Sequence, residues 1–329
     1  LTTRAAQTHS LRFNRGMLTA RAGFLFVSVV FFCSSLQAAP SPKVNEALLW
    51  KKDPLLQGLA KKLNPLVKTA PGDGALGLNR KFPDHVLVEH QIEGWTWIRS
   101  GFALDNGYVI DRGIMAFEWA FARMTDSGTF GDSKTIEVTH FLGLYARSIL
   151  LLRANRQIER AKRLERLAPR MELSLKSARS LLGERRWDRT EEKNWMTPQR
   201  IQAAAAAYWI GRLLANPSLR KTADLWLERA LLRQTPTGQF PSGFPDGSRA
   251  SLKAQLDAID ALMGLAWDDP LLQMKLRLPL KRGMTWLAAQ QKKAPHRAPL
   301  PLTPMILGLY SAWTQDPQVA ALAKKALAR

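Results

Sequence analysis

One cysteine, Cys33, is present in 329 residues. It falls inside a stretch read below as a removed leader, so the remaining chain has no thiol, and disulfides, cysteine metal ligands and cysteine nucleophiles are excluded. Acids are scarce: 27 Asp and Glu face 48 Lys and Arg, a net charge of +21. Such a field draws polyanions, namely nucleic acid, anionic lipid or acidic polysaccharide. The sequence has no glycine-rich phosphate loop, no Gly-x-Ser-x-Gly elbow and no cysteine zinc pattern, which sets aside the chemistries those motifs carry. Strand-like alternation is nearly missing as well, with "HVLVEH" (85–90) the one short candidate. No apolar run reaches the ~20 residues of a membrane span.

What is present begins with a leader. From Met17, a candidate start, the chain reads "MLTARAGFLFVSVVFFCSSLQAAPSP". Arg21 supplies the positive end, 24–33 the apolar stretch, and Ala38 or Ala39 the cleavage point of a secretory signal peptide over 1–39. "VFFC" lacks the small residues that precede a lipidated cysteine. Removal takes Arg4, Arg12, Arg15, Arg21 and no acid, so +21 becomes +17. A periplasmic or secreted protein this basic is expected to meet an acidic polysaccharide or oligosaccharide rather than nucleic acid, with no stable membrane span after cleavage.

Residues 40–80 form a basic, Pro-rich segment with one or two short amphipathic helices. From 81 to 329 helical periodicity dominates: Ile114, Phe117, Phe121 and Met124 recur at three and four, and 136–152, 155–182, 198–215, 219–233, 250–267, 271–290 and 304–314 follow suit. The pattern repeats. "TFGDS" (129–133) echoes "GFPDG" (243–247) at an offset of 114, which aligns Val138 with Leu252, Leu142 with Leu256, Tyr145 with Ile259 and Ile149 with Met263. Thr197-Pro198 is echoed by Thr303-Pro304, with Thr as cap and Pro in the first turn. Helix starts near 84, 135, 197, 251 and 303 give a period of ~50, long enough for a helical hairpin. The fold class is all-α, repeated hairpins stacked openly or closed as a complete or incomplete ring.

Gly128-Thr-Phe130 and Gly238-Gln-Phe240 follow amphipathic helices containing Trp119 and Trp226, and "RGMTWLAAQQ" (282–291) has a similar helix pattern. In this repeat style the chain resembles the α/α-toroid superfamily of polysaccharide lyases, glycoside hydrolases and terpenoid cyclases. It lacks the aspartate-rich box of the cyclases and the Asn-Asn-His pattern of one alginate lyase family. The resemblance implies that the second helix of each hairpin is inner and that its leading loop borders a central cleft. Asp84, Asp132, Asp188, Asp246 and Asn194 would then share one mouth with Lys134, Arg200, Arg249 and Arg297, and with Trp187, Trp195 and Phe244.

For a lyase on uronate sugars, a base, an acid and a carboxylate neutraliser are required. His140, Tyr145, Tyr208, Asn194 and Arg200 are the candidates; Glu137, His140 and Arg147 lie on one predicted inner helix. A hydrolase would instead use two carboxyl groups ~5–5.5 Å or ~6.5–9.5 Å apart, from Glu137, Asp132 and Asp246, with Asp257 and Asp260 read as a surface ion cluster with Lys253. The aspartates after Phe are equally read as turn or cap residues, and His140 and the tyrosines as core. "VEHQIEGWTWIRSGF" (88–102) is dense in functional side chains, and Trp95, Trp97 and Arg99 are assigned to a sugar subsite with Lys134, Trp195, Arg200 and Arg249. Glu89, His90 and Glu93 lack the spacing of a zinc helix, so no metal or other cofactor is expected. The basic run 153–170 is read as a solvated outer face. A third reading is a non-catalytic repeat protein that holds a glycan or a protein.

Overall fold

At five steps from one helix into the next the chain carries an Asn or Asp that caps the second helix. The computed structural model describes residues 44–70, 72–131, 133–182, 196–293 and 302–328. In chain order the helices are α1 (Glu46–Lys52), α2 (Pro54–Lys68), α3 (Val88–Gln91), α4 (Glu93–Leu104), α5 (Gly107–Ala122), α6 (Thr135–Ala154) and α7 (Ile158–Glu165). There follow α8 (Ala168–Leu182), α9 (Thr197–Leu213), α10 (Pro217–Leu231), α11 (Arg249–Asp268), α12 (Pro270–Lys293), α13 (Leu302–Thr314) and α14 (Pro317–Leu327). No strand occurs among the described residues, and the strand candidate 85–90 runs into α3.

Asp53, Asn216, Asp269 and Asp316 each precede a proline, and each side chain accepts from a backbone N–H of the following helix at 2.9–3.1 Å. The cap satisfies a first-turn donor and Pro has none to lose. Asn106, before Gly107, caps α5 in the same way. Asp105, Ala215 and Gln315, one residue earlier, take left-handed φ of 50°, 49° and 58°, which reverses the chain in two or three residues. The result is tight antiparallel pairs: α4 with α5, α9 with α10, α11 with α12, α13 with α14, and α6 with α7.

Helices α4 and α5 are both largely buried, whereas in the other four pairs the first helix is the more buried one. α6 packs on α9, α9 on α11, α11 on α13, and α4 on α6, while α1 and α2 touch both α4 and α13. Gly143 allows the closest approach, because a Cβ there would stand 2.5 Å from Ala206 Cβ. The boundary expected at 80/81 is not found: Pro40–Arg329 is one compact unit, and Trp50, Leu56 and Leu63 of α1 and α2 lie in its main core. The basic segment is part of the domain because its apolar stripe has α4 and α13 to cover it.

Internal repetition is visible atom by atom in two turns. In Thr125–Phe130, Gly128 N donates to Thr125 O and Thr129 N to Thr125 Oγ1; in Thr235–Phe240, Gly238 N donates to Thr235 O and Gln239 N to Thr235 Oγ1. Phe130 and Phe240 are both buried and meet the seventh residue of the next helix, Phe141 and Gln255. These turns sit 110 residues apart, the helices 114, so the second copy carries four more residues in between. Gly238 has φ +97°, and a Cβ there would overlap the Arg282 carbonyl oxygen. Gly238→Ala is therefore expected to cost about 3 kcal/mol, combining left-handed strain with overlap. Gly243→Ala, at φ +70° with only Met196 4.0 Å away, keeps the strain alone, about 1 kcal/mol. Urea unfolding of the two variants checks this; equal losses would refute the overlap.

Three capping assignments change. Thr197 is buried inside the first turn of α9, whose N-cap is Met196. Thr303 is the second residue of α13. Asp246 does not cap α11: Ser248 does, accepting from Ser251 N at 3.1 Å, while Asp246 stays exposed and accepts from Gln239 Nε2.

Candidate functional site

Where the inner helices meet, four charged side chains from distant parts of the chain form a closed circuit. Glu46 opens α1, Arg99 comes from α4, Arg147 from α6 and Asp260 from α11. Arg99 lies 3.1 Å from Glu46 and 2.5 Å from Asp260; Arg147 lies 2.8 Å from Glu46 and 3.6 Å from Asp260. All four are at least nine-tenths buried. The Arg99 guanidinium stacks on Trp95 at 4.2 Å, and that of Arg147 on Trp95 and Trp209 at 4.8 and 4.7 Å. Gly264 makes room: a Cβ there would stand 2.5 Å from Arg147 Cζ. Burial opposes ionisation of Arg147 and Asp260, yet the opposite charges prevail, raising Arg147 and lowering Asp260 below the usual carboxylate range. The tetrad is neutral as a set, which is what allows it to be dry.

This overturns two assignments. Arg99, placed in a sugar subsite, is fully buried in the tetrad, and Asp260, placed in a surface cluster, is one of its two acids. Trp95 is sealed beneath Arg99. Trp97 is buried in a separate apolar cluster with Val67, Leu76, Val109 and Ala116. Neither indole presents a face for a sugar ring, because α4 is covered by α5 on one side and by α1 and α2 on the other.

On one side of the tetrad, toward the N-terminal ends of α6 and α11, lies a second group. Lys253 Nζ pairs with Asp257 at 2.7 Å, and Asp257, Glu137 and Glu89 together raise its pKa, Asp257 most, so the ammonium is held charged. His140 is half-buried among Asp257, Lys253, Asp260 and Arg147, and burial lowers its imidazole to about 4. At neutral pH His140 is uncharged. Glu137 Oε2 accepts from Lys134 N at 2.9 Å at the start of α6, and Glu89, from α3, has a carboxylate oxygen buried without a hydrogen-bond partner. Three carboxylates, a neutral imidazole and a charged ammonium lie together here. On the other side is a cavity of about 260 Å³ lined by Asn45, Glu46, Arg147, Arg212, Trp267 and Asp268 among others.

The remaining candidates do not join His140. Tyr145 is buried against Phe117 and Phe121 and its hydroxyl donates to Leu164 O at 2.6 Å; burial raises its pKa. Tyr208 is buried with Arg212, Arg220, Asp268 and Asp269 around it, and burial pushes it up to about 12. It therefore stands with the groups at the far end of α11, whereas His140 stands with those at the near end; Asp257 and Asp268 are eleven residues apart, about 16 Å of helix. Arg200 is buried on α9, Arg249 is the exposed first residue of α11, and Lys134 is exposed. Asp132, Asn194, Trp195, Asp188, Trp187 and Arg297 lie outside the described residues. Among the described residues no three His, Cys, Asp or Glu side chains gather as metal ligands, and no helix is long and apolar enough to cross a membrane.

The low His140 pKa has a consequence for stability. The unfolded imidazole takes a proton near 6.5 and the folded one only near 4. The unfolded state is thus the better proton acceptor, and stability present above pH 6.5 is lost as pH falls toward 4, by at most about 3 kcal/mol. Thermal melts of the protein and of His140→Gln across that window are expected to converge in acid; an unchanged pH slope in the variant would remove His140 as the cause.

No family model, no curated protein and no solved structure matches this chain.

Proposed function

We propose that the chain is an exported α/α-ring protein that binds an acidic polysaccharide at the mouth containing His140, Lys253, Asp257 and Glu137, and cleaves it by β-elimination. The observation that carries this reading is the neutral His140 beside the charged Lys253–Asp257 pair. A uronate carboxylate paired with Lys253 has its adjacent C–H acidified; His140 takes that proton, the electrons form the ring double bond, the C–O bond to the leaving sugar breaks, and the departing oxygen takes its proton from solvent water, to which His140 later returns the one it accepted. The contacts that bring α1 and α2 between α13 and α4 support the ring arrangement, and the basic charge supports an acidic polymer.

The test is incubation with alginate, pectate and hyaluronan, following the ultraviolet absorbance of the unsaturated chain end. Reducing ends without that absorbance would move the assignment to a hydrolase using Glu137 and Asp257 as its carboxyl pair. A second reading, a non-catalytic scaffold, is favoured by one feature: the tetrad and its tryptophans occupy the place where the inner helices meet. Binding of the polymers without any cleavage would establish it.

A further inference from the structure

α12 is apolar on two opposite faces. Leu272, Leu276, Leu280 and Leu287 are buried against the core. Leu271, Met274 and Leu278, at steps of three and four on the other face, are 71%, 63% and 54% exposed. A helix apolar all round is normally covered, and isolated exposed leucines need no account, but three in one stripe do. Leu232, 81% exposed, belongs to the same region: Gln234, two residues on, donates its side chain to the Pro279 carbonyl.

The flanks of the stripe are all of one charge. Helical geometry puts exposed Lys275 and Arg282 on one side and exposed Arg277 and Lys281 on the other. Lys292 and Lys293 close the helix, and from Pro270 to Gln315 the sequence has no Asp or Glu. We infer that this face of α12 docks on an anionic lipid surface, with Leu271, Met274 and Leu278 seated at the acyl boundary and the four flanking cations on headgroup phosphates. That division, apolar centre and cationic margins, is the pattern of an interfacial helix, and each cation near an anionic leaflet strengthens attachment. A second copy of the chain is a poor occupant, since the face would meet its own positive charge. A sulfated or uronate polymer would engage the cations and leave the leucines unused.

The experiment is co-sedimentation of the full chain with equimolar phosphatidylglycerol–phosphatidylcholine vesicles and with phosphatidylcholine alone, at low and high salt. Binding to the anionic vesicles, weakened by salt, is expected, with a fall of roughly tenfold or more in both Leu271→Gln/Met274→Gln/Leu278→Gln and Lys275→Gln/Arg277→Gln/Lys281→Gln/Arg282→Gln. These positions are exposed, so thermal melts should match the parent and show that the loss is not unfolding. Undiminished binding by the apolar triple variant would overturn the proposal, and so would no vesicle binding. A dimer that the triple variant dissolves would assign the face to a second copy, and retention on heparin with none on vesicles would assign it to a glycan; each would overturn lipid docking.

Discussion

Asp260→Asn is expected to lower the free energy of unfolding by about 3–5 kcal/mol, the range for removing one partner from a buried ion pair. The loss arises from what remains rather than from what is gone. Without Asp260, Arg99 and Arg147 share a single carboxylate, Glu46, in a site closed by Trp95 and Trp209. Glu46→Gln should behave alike, although it lies 214 positions away in the sequence. Replacing all four charges by neutral side chains of similar volume is expected to cost far less than either single change, because the desolvation of the charges disappears with them. Lys51 and Asp105, paired at 3.6 Å on the exposed surface, provide the comparison: breaking that pair should change stability by under about 1 kcal/mol. Urea denaturation with an unchanged slope measures all of these. Should Asp260→Asn fall within the range of the exposed pair, the tetrad is not dry and the account of the centre fails.

His140→Gln is expected to lower turnover on a susceptible uronate polymer by about 10²–10⁴-fold, the contribution of a positioned proton acceptor. The parent's pH profile adds a separate readout. A base with a pKa of about 4 is competent throughout the neutral range, so kcat/KM should hold down to moderately acid pH and then fall. Lys253→Met should act chiefly on KM, by removing the cation that meets the carboxylate. An acid limb near 6.5 would show that burial does not lower His140 that far, and an acid limb and turnover unchanged in His140→Gln would remove His140 as the base.

Much of the fold was legible because it rests on local rules. Helix starts near 135, 197, 251 and 303 fall within two residues of the observed ones, since period and turn chemistry are read directly from neighbouring residues. The strongest local signal went unused: Asp53-Pro54, Asn216-Pro217, Asp269-Pro270 and Asp316-Pro317 mark the outer helices and the register of the hairpins more plainly than the Phe-Pro-Asp turns do. The centre was not legible in the same way. Arg99 beside two tryptophans reads as a sugar platform, and nothing near it announces Glu46 or Asp260, because the tetrad draws its members from four helices. Asp260 was assigned to Lys253 by helical spacing, but Lys253 pairs with Asp257, and nearly one further turn carries Asp260 inward to the arginines. Of the candidates on predicted inner helices, Glu137 and His140 lie near Lys253, whereas Tyr145 and Tyr208 are buried in packing.

The tetrad also sets an order of assembly. Glu46, Arg99 and Arg147 leave the ribosome before Asp260, so the N-terminal half of the nascent chain holds two arginines meant for the interior and one acid to balance them. A core closed at that stage would hold one uncompensated cation until α11 arrives. The contact between positions 99 and 260, spanning 161 residues, is therefore a late clasp on a centre that the N-terminal helices alone leave unbalanced.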